Sequence, residues 1–292
     1  MKKICILTEN QNSYASQRFQ KEAADAGLIA VCIRWSELRY ESENGELLTR
    51  NNISFKDFDG AILRGDSTSI TPLNLITGYL RQNHIPFIND VFYSKNQTVN
   101  KLRQSLLFQS KDIPSLQTIY GEQLSLSFLQ KSLGLPFIAK LIRGSLGLQV
   151  FKITSKEDFS FFLSCRRTDK EPYLFQKYYP IQYDYRVMIV GNEVLGAVKR
   201  TPKNGEWRTN LHGSHHERAE NMEAALLLAK SLREKTDIEY AGVDILIDDA
   251  GHARIIEINT MAQFKVFEKV FPEFNIAQKT LALLRIKMEE KK

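Results

Sequence analysis

The chain has 292 residues, of which 43% are hydrophobic and 25% are charged, with 15 glycines and 8 prolines. These are ordinary values for a globular protein, and the length predicts two or three subdomains that share a cleft. The net charge of +6 comes from scattered basic residues. We therefore expect phosphate-rich or acidic ligands in a cleft and do not expect nucleic acid as a partner.

The first 95 residues alternate strand and helix signals, which predicts a parallel α/β sheet. The predicted strands are KICIL, IAVCIRW, DGAILRG and IPFIN, and the predicted helices cover residues 14–27 and LNLITGYLRQN. We expect this α/β lead domain to end near residue 95.

The remainder predicts an α+β body rich in antiparallel hairpins. Residues 97–133 are predicted to be helical around the strand PSLQTIY, and LPFIAKLIRGSLGLQVFKI is predicted to be a hairpin. EPYLFQKYYP is a further strand, Gly191-Asn192 is a two-residue hairpin turn, and a helix is expected over 217–236. AGVDILIDDAGHARIIEIN forms the last hairpin and FNIAQKTLALLRIKMEE the last helix. The predicted units are 1–95 (lead domain), 96–180 (linker helix and small subdomain) and 181–292 (large subdomain).

No apolar stretch approaches the ~20 residues that span a bilayer, so no membrane association is expected. The run Ile4–Leu7 after the basic start is too short for a signal-peptide core. Cys5, Cys32 and Cys165 are widely spaced and form no CxxC pair. This pattern predicts a reduced, cytoplasmic protein.

The strongest local pattern is the pair of strands Val243–Ile247 and Ile255–Asn259. Because side chains alternate faces, Glu257 and Asn259 share one face of their strand, and the neighbouring isoleucines point to the other face. If the two strands pair through their turn, Asp244 can lie near Glu257 and Asn259. Two carboxylates and an amide suit Mg²⁺ or Mn²⁺, and carboxylates buried among apolar strands need a counter-charge. The alternative is a solvent-facing amphipathic sheet, which spacing alone does not exclude.

Lys140 ends an apolar run and is followed by the loop Arg143–Gly147. Small residues in such a loop let backbone N–H groups approach phosphate oxygens. The chain contains no GxxxxGK[ST] loop, and no GxGxxG follows the first strand, which argues against a dinucleotide-binding lead domain. The alternative is an ordinary glycine turn beside a surface lysine.

Two further features suit a nucleotide. Leu174–Pro180 is an apolar strand that ends before a proline, and such a strand end can supply a slot for a purine ring. Arg186, Arg200, Arg208 and Asn210 form a set of cations and amides suited to phosphate or carboxylate. Each alone is also compatible with an ordinary strand end or a solvent-facing arginine.

In order and spacing, these blocks resemble the ATP-grasp superfamily, specifically the branch that contains the ribosomal-protein S6 glutamate ligases. The likeness runs from about residue 85 to the end. It is carried by NKLRQSLLFQSKDIP, Lys140 with RGSLG, QKYY at 176–179, DYR at 184–186, EWRTNLH at 206–212, and AGVDIL with EIN. The resemblance implies an α/β lead domain and an ATP-grasp body that holds the nucleotide between two antiparallel-sheet subdomains.

The resemblance also implies roles for individual residues. Asp244, Glu257 and Asn259 are expected to hold two Mg²⁺ or Mn²⁺ ions, and Arg200 and Arg208 to stabilise the transferred phosphoryl group. The residues expected to contact ATP are Lys101, Lys140, Gly144, Ser145, Gly147, Gln176, Lys177, Tyr178, Tyr179, Asp184, Arg186, Arg208, Thr209 and Asn210.

The activity implied is that of an ATP-dependent ligase, which joins a carboxylate to an amine through an acyl phosphate and releases ADP and phosphate. An amino acid or peptide is expected as substrate, whether free or protein-borne, and a homo-oligomer is compatible with the sequence. Three alternatives stay open: a nucleotide-binding regulatory protein without ligase activity, a phosphotransferase, and a ligase that modifies RNA or a protein tail.

The chain departs from the family where substrate is expected. Thr260–Phe264 stands in place of Ser-Pro-Gly, Gly213–His216 in place of Arg-Gly-Gly, and Lys177 in place of an acidic hinge residue. Arg64, at the end of a lead-domain strand, and Thr260 are candidate substrate contacts. A substrate-adjacent loop is expected at 213–216, with the roles of its two histidines open.

Overall fold

The computed structural model describes residues 1–65, 70–95, 100–142, 149–165, 172–209, 211, 213–220 and 222–290. The strands are β1 Lys3–Leu7, β2 Ile29–Ile33, β3 Arg39–Glu41, β4 Glu46–Leu48, β5 Gly60–Leu63, β6 Thr118–Tyr120, β7 Phe137–Leu141, β8 Val150–Ile153, β9 Tyr173–Lys177, β10 Asp184–Val190, β11 Glu193–Thr201, β12 His215–Arg218, β13 Tyr240–Ile247 and β14 Ala253–Asn259. The α-helices are α1 Tyr14–Asp25, α2 Ile70–Gln82, α3 Asp90–Lys95, α4 Lys101–Ser110, α5 Leu126–Leu133, α6 Lys156–Cys165, α7 Glu223–Thr236, α8 Lys265–Val270 and α9 Ile276–Glu290, and short 3₁₀ helices cover Trp35–Glu37 and Phe55–Asp57.

The lead region contains a parallel sheet in the order β2-β1-β5, as predicted. The predicted strand IPFIN is wrong within the described residues. It forms only one bridge, between Ala61 and Phe87, where the Ala61 N–H donates to the Pro86 carbonyl (2.9 Å). Pro86 has no N–H, so the ladder cannot extend on the N-terminal side of this bridge. The hairpin β3–β4 was not predicted.

The small subdomain is a four-stranded antiparallel sheet in the order β6-β9-β7-β8. Its core is aromatic: Phe162 packs edge-on against Tyr173 and Phe175, with ring centroids 5.1 and 5.9 Å apart. Phe162 belongs to α6, a helix that was not predicted from the sequence and that packs on β8. The predicted hairpin β7–β8 is present, and its turn lies outside the described residues.

The large subdomain is a five-stranded antiparallel sheet in the order β12-β11-β10-β13-β14. One face buries apolar side chains against α7, while the other carries the polar side chains described below. The helix predicted over 217–236 begins only at Glu223, so its start was wrong. The preceding residues form β12, because its alternating side chains pair with β11 and Glu217 reaches Lys199 across the strands (2.8 Å).

The last hairpin, β13–β14, has its turn at Asp248–Gly251 as predicted, with Asp244 directly opposite Glu257. The predicted strict alternation in β14 was wrong at one position. A register shift follows Asp244, so Ile256 is an extra residue, as in a β-bulge. Ile256 therefore lies on the same cleft as Glu257 instead of facing away from it.

Within the described residues, no helix combines the length and the apolar character needed to cross a membrane.

Candidate active site between the two antiparallel sheets

A cleft lies between the small and the large sheet. Most of the described residues predicted to contact ATP line it, together with two of the predicted metal ligands. They are Lys101, Lys140, Gln176, Lys177, Tyr178, Tyr179, Asp184, Arg208, Thr209, Asp244 and Glu257. Arg186 and Arg200 lie on the strands next to these residues rather than in the cleft lining.

The carboxylates of the cleft face come from paired positions on adjacent strands. Asp244 is 1% exposed, whereas Glu257 is half-buried and open to the cleft. Asn259 sits two residues further along β14 and donates from Nδ2 to Glu257 Oε1 (3.2 Å). The strand register thus brings together the three side chains predicted as metal ligands.

Two arginines supply the counter-charge to the buried carboxylates. Arg186 forms a two-pronged contact with Asp244, and Arg200 does the same with Asp184 (2.7 and 2.5 Å). Arg200 Nη2 also lies 3.1 Å from Asp244 Oδ2. Burial raises the pKa of Asp244, but Arg186 and Arg200 outweigh this and hold the pKa below its usual value. The counter-charge that the buried Asp244 requires is thus supplied by arginine, a source that was not predicted from the sequence.

The close approach of Arg186 depends on a glycine. A Cβ at Gly242 would lie 2.8 Å from Arg186 Nη1 and 2.8 Å from the Cβ of Ala262. The Arg186 guanidinium therefore passes directly over the backbone of β13 at Gly242, where a side chain on β13 would collide with it.

The donor chemistry of this cluster fits a hard cation. Carboxylate and amide oxygens are preferred by Mg²⁺. Among the residues the structure describes, no group of three or more His, Cys, Asp and Glu side chains gathers for a metal. An ion here would thus rest on Asp244, Glu257 and Asn259, with Asp244 sharing its oxygens with the two arginines.

The opposite side of the cleft is cationic. Lys140 lies on β7 and is 7% exposed. Lys101 is the first residue of α4. Its N–H donates to the Ile142 carbonyl (3.2 Å), which connects the N-terminus of α4 to the residue after β7. Burial, reinforced by Lys101 and opposed by Glu257 and Asp244, lowers the pKa of Lys140 to about 8. Two lysines beside a helix N-terminus form an environment suited to anions.

An apolar slot continues from these lysines to the end of β9. Most of the residues that form its walls were not predicted from the sequence, although the apolar character of those on strands is a usable signal. The missed lining residues are Leu116, Ile138, Leu141, Val150, Ile181, Trp207, Leu246 and Ile256. In the predicted hinge, Gln176 donates to Thr118 Oγ1 (2.9 Å) and the Lys177 N–H donates to the Gln117 carbonyl (3.0 Å).

Aromatic and cationic side chains bridge the two sheets at this slot. Tyr178, after β9, packs edge-on against Trp207, after β11, with ring centroids 6.1 Å apart. Lys152 Nζ lies 4.0 Å from the centre of the Tyr178 ring. Arg208 follows Trp207 and pairs with Glu206 (2.9 Å), and this hydrogen bonding lowers the pKa of Glu206 to about 2.

The candidate substrate contacts occupy a different place. Arg64 is 3% exposed and donates to the Ala262 carbonyl (2.9 Å) and to the Tyr240 hydroxyl (3.1 Å). Thr260 is buried, and its Oγ1 accepts a hydrogen bond from the Tyr93 hydroxyl (2.9 Å). Both line a small cavity between the lead region and β13, so their role in substrate binding stays a prediction. Gly144, Ser145, Gly147 and Asn210 lie outside the described residues.

Two antiparallel sheets close on one cleft, which is lined by Lys140 of the small sheet, by Lys101 of α4 and by carboxylates of the large sheet. This arrangement is that of the ATP-grasp class. The solved structures with this fold include a RimK domain protein from Sphaerobacter thermophilus (TM-score 0.73, 13% identity, 97% of this chain and 99% of that chain). They also include the ATP-grasp ligase PsnB complexed with a minimal precursor, Mg and ADP (TM-score 0.71, 15% identity, 98% and 97%).

Residues 98–284 match the family model of the RimK-like ATP-grasp domain. The chain therefore belongs to the RimK-like ATP-grasp family, and the predicted fold class and family are confirmed. A probable alpha-L-glutamate ligase of Legionella pneumophila (strain Corby) is 25% identical over 298 residues, covering 98% of this chain and 96% of that protein. The chain is accordingly an ATP-dependent, ADP-forming carbon–nitrogen ligase.

Proposed function

We propose that the protein joins a carboxylate to the amine of an amino acid or peptide through an acyl phosphate. The observation that carries this proposal is that Lys101 and Lys140 line the same cleft as Asp244 and Glu257. A triphosphate lying between them would meet cations on one side and metal-binding oxygens on the other. The glutamate ligase relative makes L-glutamate the first amine to test.

The proposed cofactors are ATP and Mg²⁺ or Mn²⁺, with two ions held by Asp244, Glu257 and Asn259. Such ions neutralise charge that develops on the phosphate oxygens. The apolar slot would hold the adenine ring. Because the Lys177 N–H already donates within the small sheet, the adenine contact would come from the backbone beyond it, at Tyr178 and Tyr179.

The chain's own residues supply the remaining steps. Arg200 and Arg208 would stabilise the phosphoryl group in transfer and the tetrahedral intermediate. Lys140 would hold the phosphates, and the two sheets would exclude water, since an acyl phosphate is lost to hydrolysis when exposed.

The test is an ADP-release assay with the twenty amino acids and glutamate-terminated dipeptides, in the presence and absence of hydroxylamine. A carboxylate that is activated as an acyl phosphate gives a hydroxamate of known mass. ADP release with hydroxamate and amide supports the ligase. A stable phosphate ester would instead identify a phosphotransferase, and nucleotide binding without turnover would identify a regulatory protein.

Nucleotide affinity is expected to weaken as the pH rises above about 8. Phosphate binds the protonated form of Lys140, whose pKa in the free protein is about 8. Binding of an anion raises the pKa of Lys140. At pH values above the pKa of the free protein, the nucleotide therefore binds with uptake of a proton. In this range the Kd rises by at most about tenfold per pH unit. Calorimetry with ADP in buffers of different ionisation enthalpy measures both quantities.

Lys140→Arg is the matched control for this pH dependence. Arginine stays protonated throughout the range, so affinity of the variant should stay level from pH 7 to 9.5. An equal decline in both proteins would show that another group titrates.

Nucleotide binding is also expected to change the tryptophan fluorescence. Trp207 lines the slot, whereas Trp35, the other of the two tryptophans, is buried in the lead region. Trp207→Phe should abolish the change on ADP addition, and Trp35→Phe should retain it. A signal that follows Trp35 instead would contradict the placement of the nucleotide.

A further inference from the structure

His216 lies on β12, at the edge of the large sheet, in line with the charged residues of the cleft face. Across the strands, Asp184 is paired with Arg200, and Arg200 is paired with His216. Directly opposed residues of antiparallel strands project from the same face, with Cβ atoms about 4.5–5.5 Å apart. Since Arg200 also reaches Asp244 (3.1 Å), one row of side chains leads from Asp244 in the cleft lining through Arg200 to this imidazole.

The environment of His216 favours a neutral imidazole. The side chain is half-buried, and burial lowers its pKa, followed by the nearby charge of Arg200. His215 and Arg186 act in the same direction, and only Asp184 opposes them. A neutral imidazole has a ring nitrogen that can accept a proton at neutral pH.

The other element packed against β12 is the short helix α8. Two of its charged side chains are engaged elsewhere. Glu268 accepts a hydrogen bond from the Tyr14 hydroxyl (2.5 Å) and forms an ion pair with Arg18 (3.3 Å). The Lys265 ammonium group lies over the Tyr14 ring. The charged groups of α8 are Lys265, Glu268 and Lys269.

The neighbouring histidine, His215, lies in a different environment. His215 projects from the other face of β12, its side chain is 70% exposed, and its Nε2 lies 3.5 Å from Glu217 Oε2. Two adjacent histidines thus differ in face, burial and charge environment, although the sequence alone gave them no separate roles.

We propose that His216 accepts a proton from the amine substrate, a role that rests on the proposed ligase function. The amine arrives as R–NH₃⁺ and gives one proton to a ring nitrogen of His216. Its freed electron pair forms the C–N bond to the acyl carbon of the acyl phosphate. The C–O bond to phosphate then breaks, phosphate leaves with the electron pair and takes the second proton from nitrogen, and the imidazolium releases its proton to solvent.

The test compares His216→Gln with its matched control His215→Gln, using two nucleophiles. L-Glutamate is largely protonated at neutral pH and needs a base, whereas hydroxylamine is unprotonated and does not. For His216→Gln we expect amide formation to fall by about 10²–10³-fold while hydroxamate formation stays within about twofold of wild type. His215→Gln should match wild type with both nucleophiles.

The pH profile gives a second readout that a structural role would not produce. The amide rate of His216→Gln should rise about tenfold per pH unit towards the pKa of the amine, because only unprotonated amine can react. His216→Ala should regain part of its amide rate when free imidazole is added, which also shows that the variant is folded.

Three outcomes would overturn the proposal. One is an equal loss of amide and hydroxamate in His216→Gln, and another is an unchanged amide rate. The third is a wild-type protein that forms neither product with any acid tested, which would contradict the ligase function itself. The hydroxamate signal of the wild type distinguishes this third result from the other two.

Discussion

Glu257→Gln is expected to lower the rate of ADP release by roughly 10²–10³-fold, the usual cost of removing one positioned electrostatic group from an active site. Glu257 is the carboxylate open to the cleft, directly opposite Asp244. The substitution keeps the shape of the side chain and the amide can still accept the Asn259 hydrogen bond, so the loss would come from charge. Single-turnover ADP release at saturating ATP and Mg²⁺ measures it.

The same variant should alter the pH dependence of nucleotide binding. Glu257 raises the pKa of Lys140 in the free protein. Without that charge, the pKa of Lys140 falls further, and nucleotide affinity should begin to weaken at a lower pH than in the wild type. Glu193→Gln is the control, because Glu193 lies in the same sheet at the far hairpin turn with a side chain that is 60% exposed. Full activity in Glu257→Gln would refute the metal assignment.

Arg200→Met is expected to destabilise the fold by about 3–5 kcal/mol at pH 7, because it leaves the buried carboxylate of Asp184 without its cation. Asp184 is 2% exposed and would keep only the Thr209 hydroxyl (2.6 Å) as a described side-chain partner, whereas Asp244 would keep Arg186. Urea unfolding, with the m-value checked for constancy, gives the free energy of unfolding.

The deficit of Arg200→Met should shrink as the pH falls. Burial and the nearby charge of Asp244 raise the pKa of Asp184 even in the wild type, although Arg200 opposes them. Loss of Arg200 raises this pKa further, so the deficit relative to the wild type is absent below the wild-type folded pKa of Asp184. It grows as the pH rises from there towards the folded pKa of the variant. Adding Asp184→Asn should recover part of the loss at pH 7. Arg285→Met, which breaks an exposed pair with Glu289, should cost only about 0.3–0.5 kcal/mol.

The sequence predicted those parts of the site that depend on local pattern. Alternation and turn chemistry correctly placed Asp244 opposite Glu257, and the order of strands indicated both sheets. Alternation failed at Ile256, because a bulge is decided by pairing with the partner strand and leaves no clear mark in the sequence.

Contacts between distant segments could not be predicted in this way. The need for a counter-charge at Asp244 was anticipated, but its source in Arg186 and Arg200 depends on the side-by-side arrangement of β10, β11 and β13. The contact of Trp207 with Tyr178 likewise joins two subdomains. Arg64 was expected at a strand end, yet its burial against Ala262 follows from how the lead region meets the segment after β14.

The helix α9 packs against α1 and β5, so the final turns of the chain complete the core of its first sheet. Gly60 marks the contact, because a Cβ there would lie 2.9 Å from the sulfur of Met288. During synthesis, the lead region therefore leaves the ribosome with one apolar face uncovered, and this face stays uncovered until α9, which begins about 180 residues beyond residue 95, has been translated. Contacts of such long sequence separation close slowly. The apolar face of the nascent lead region is thus open to aggregation until α9 packs on it.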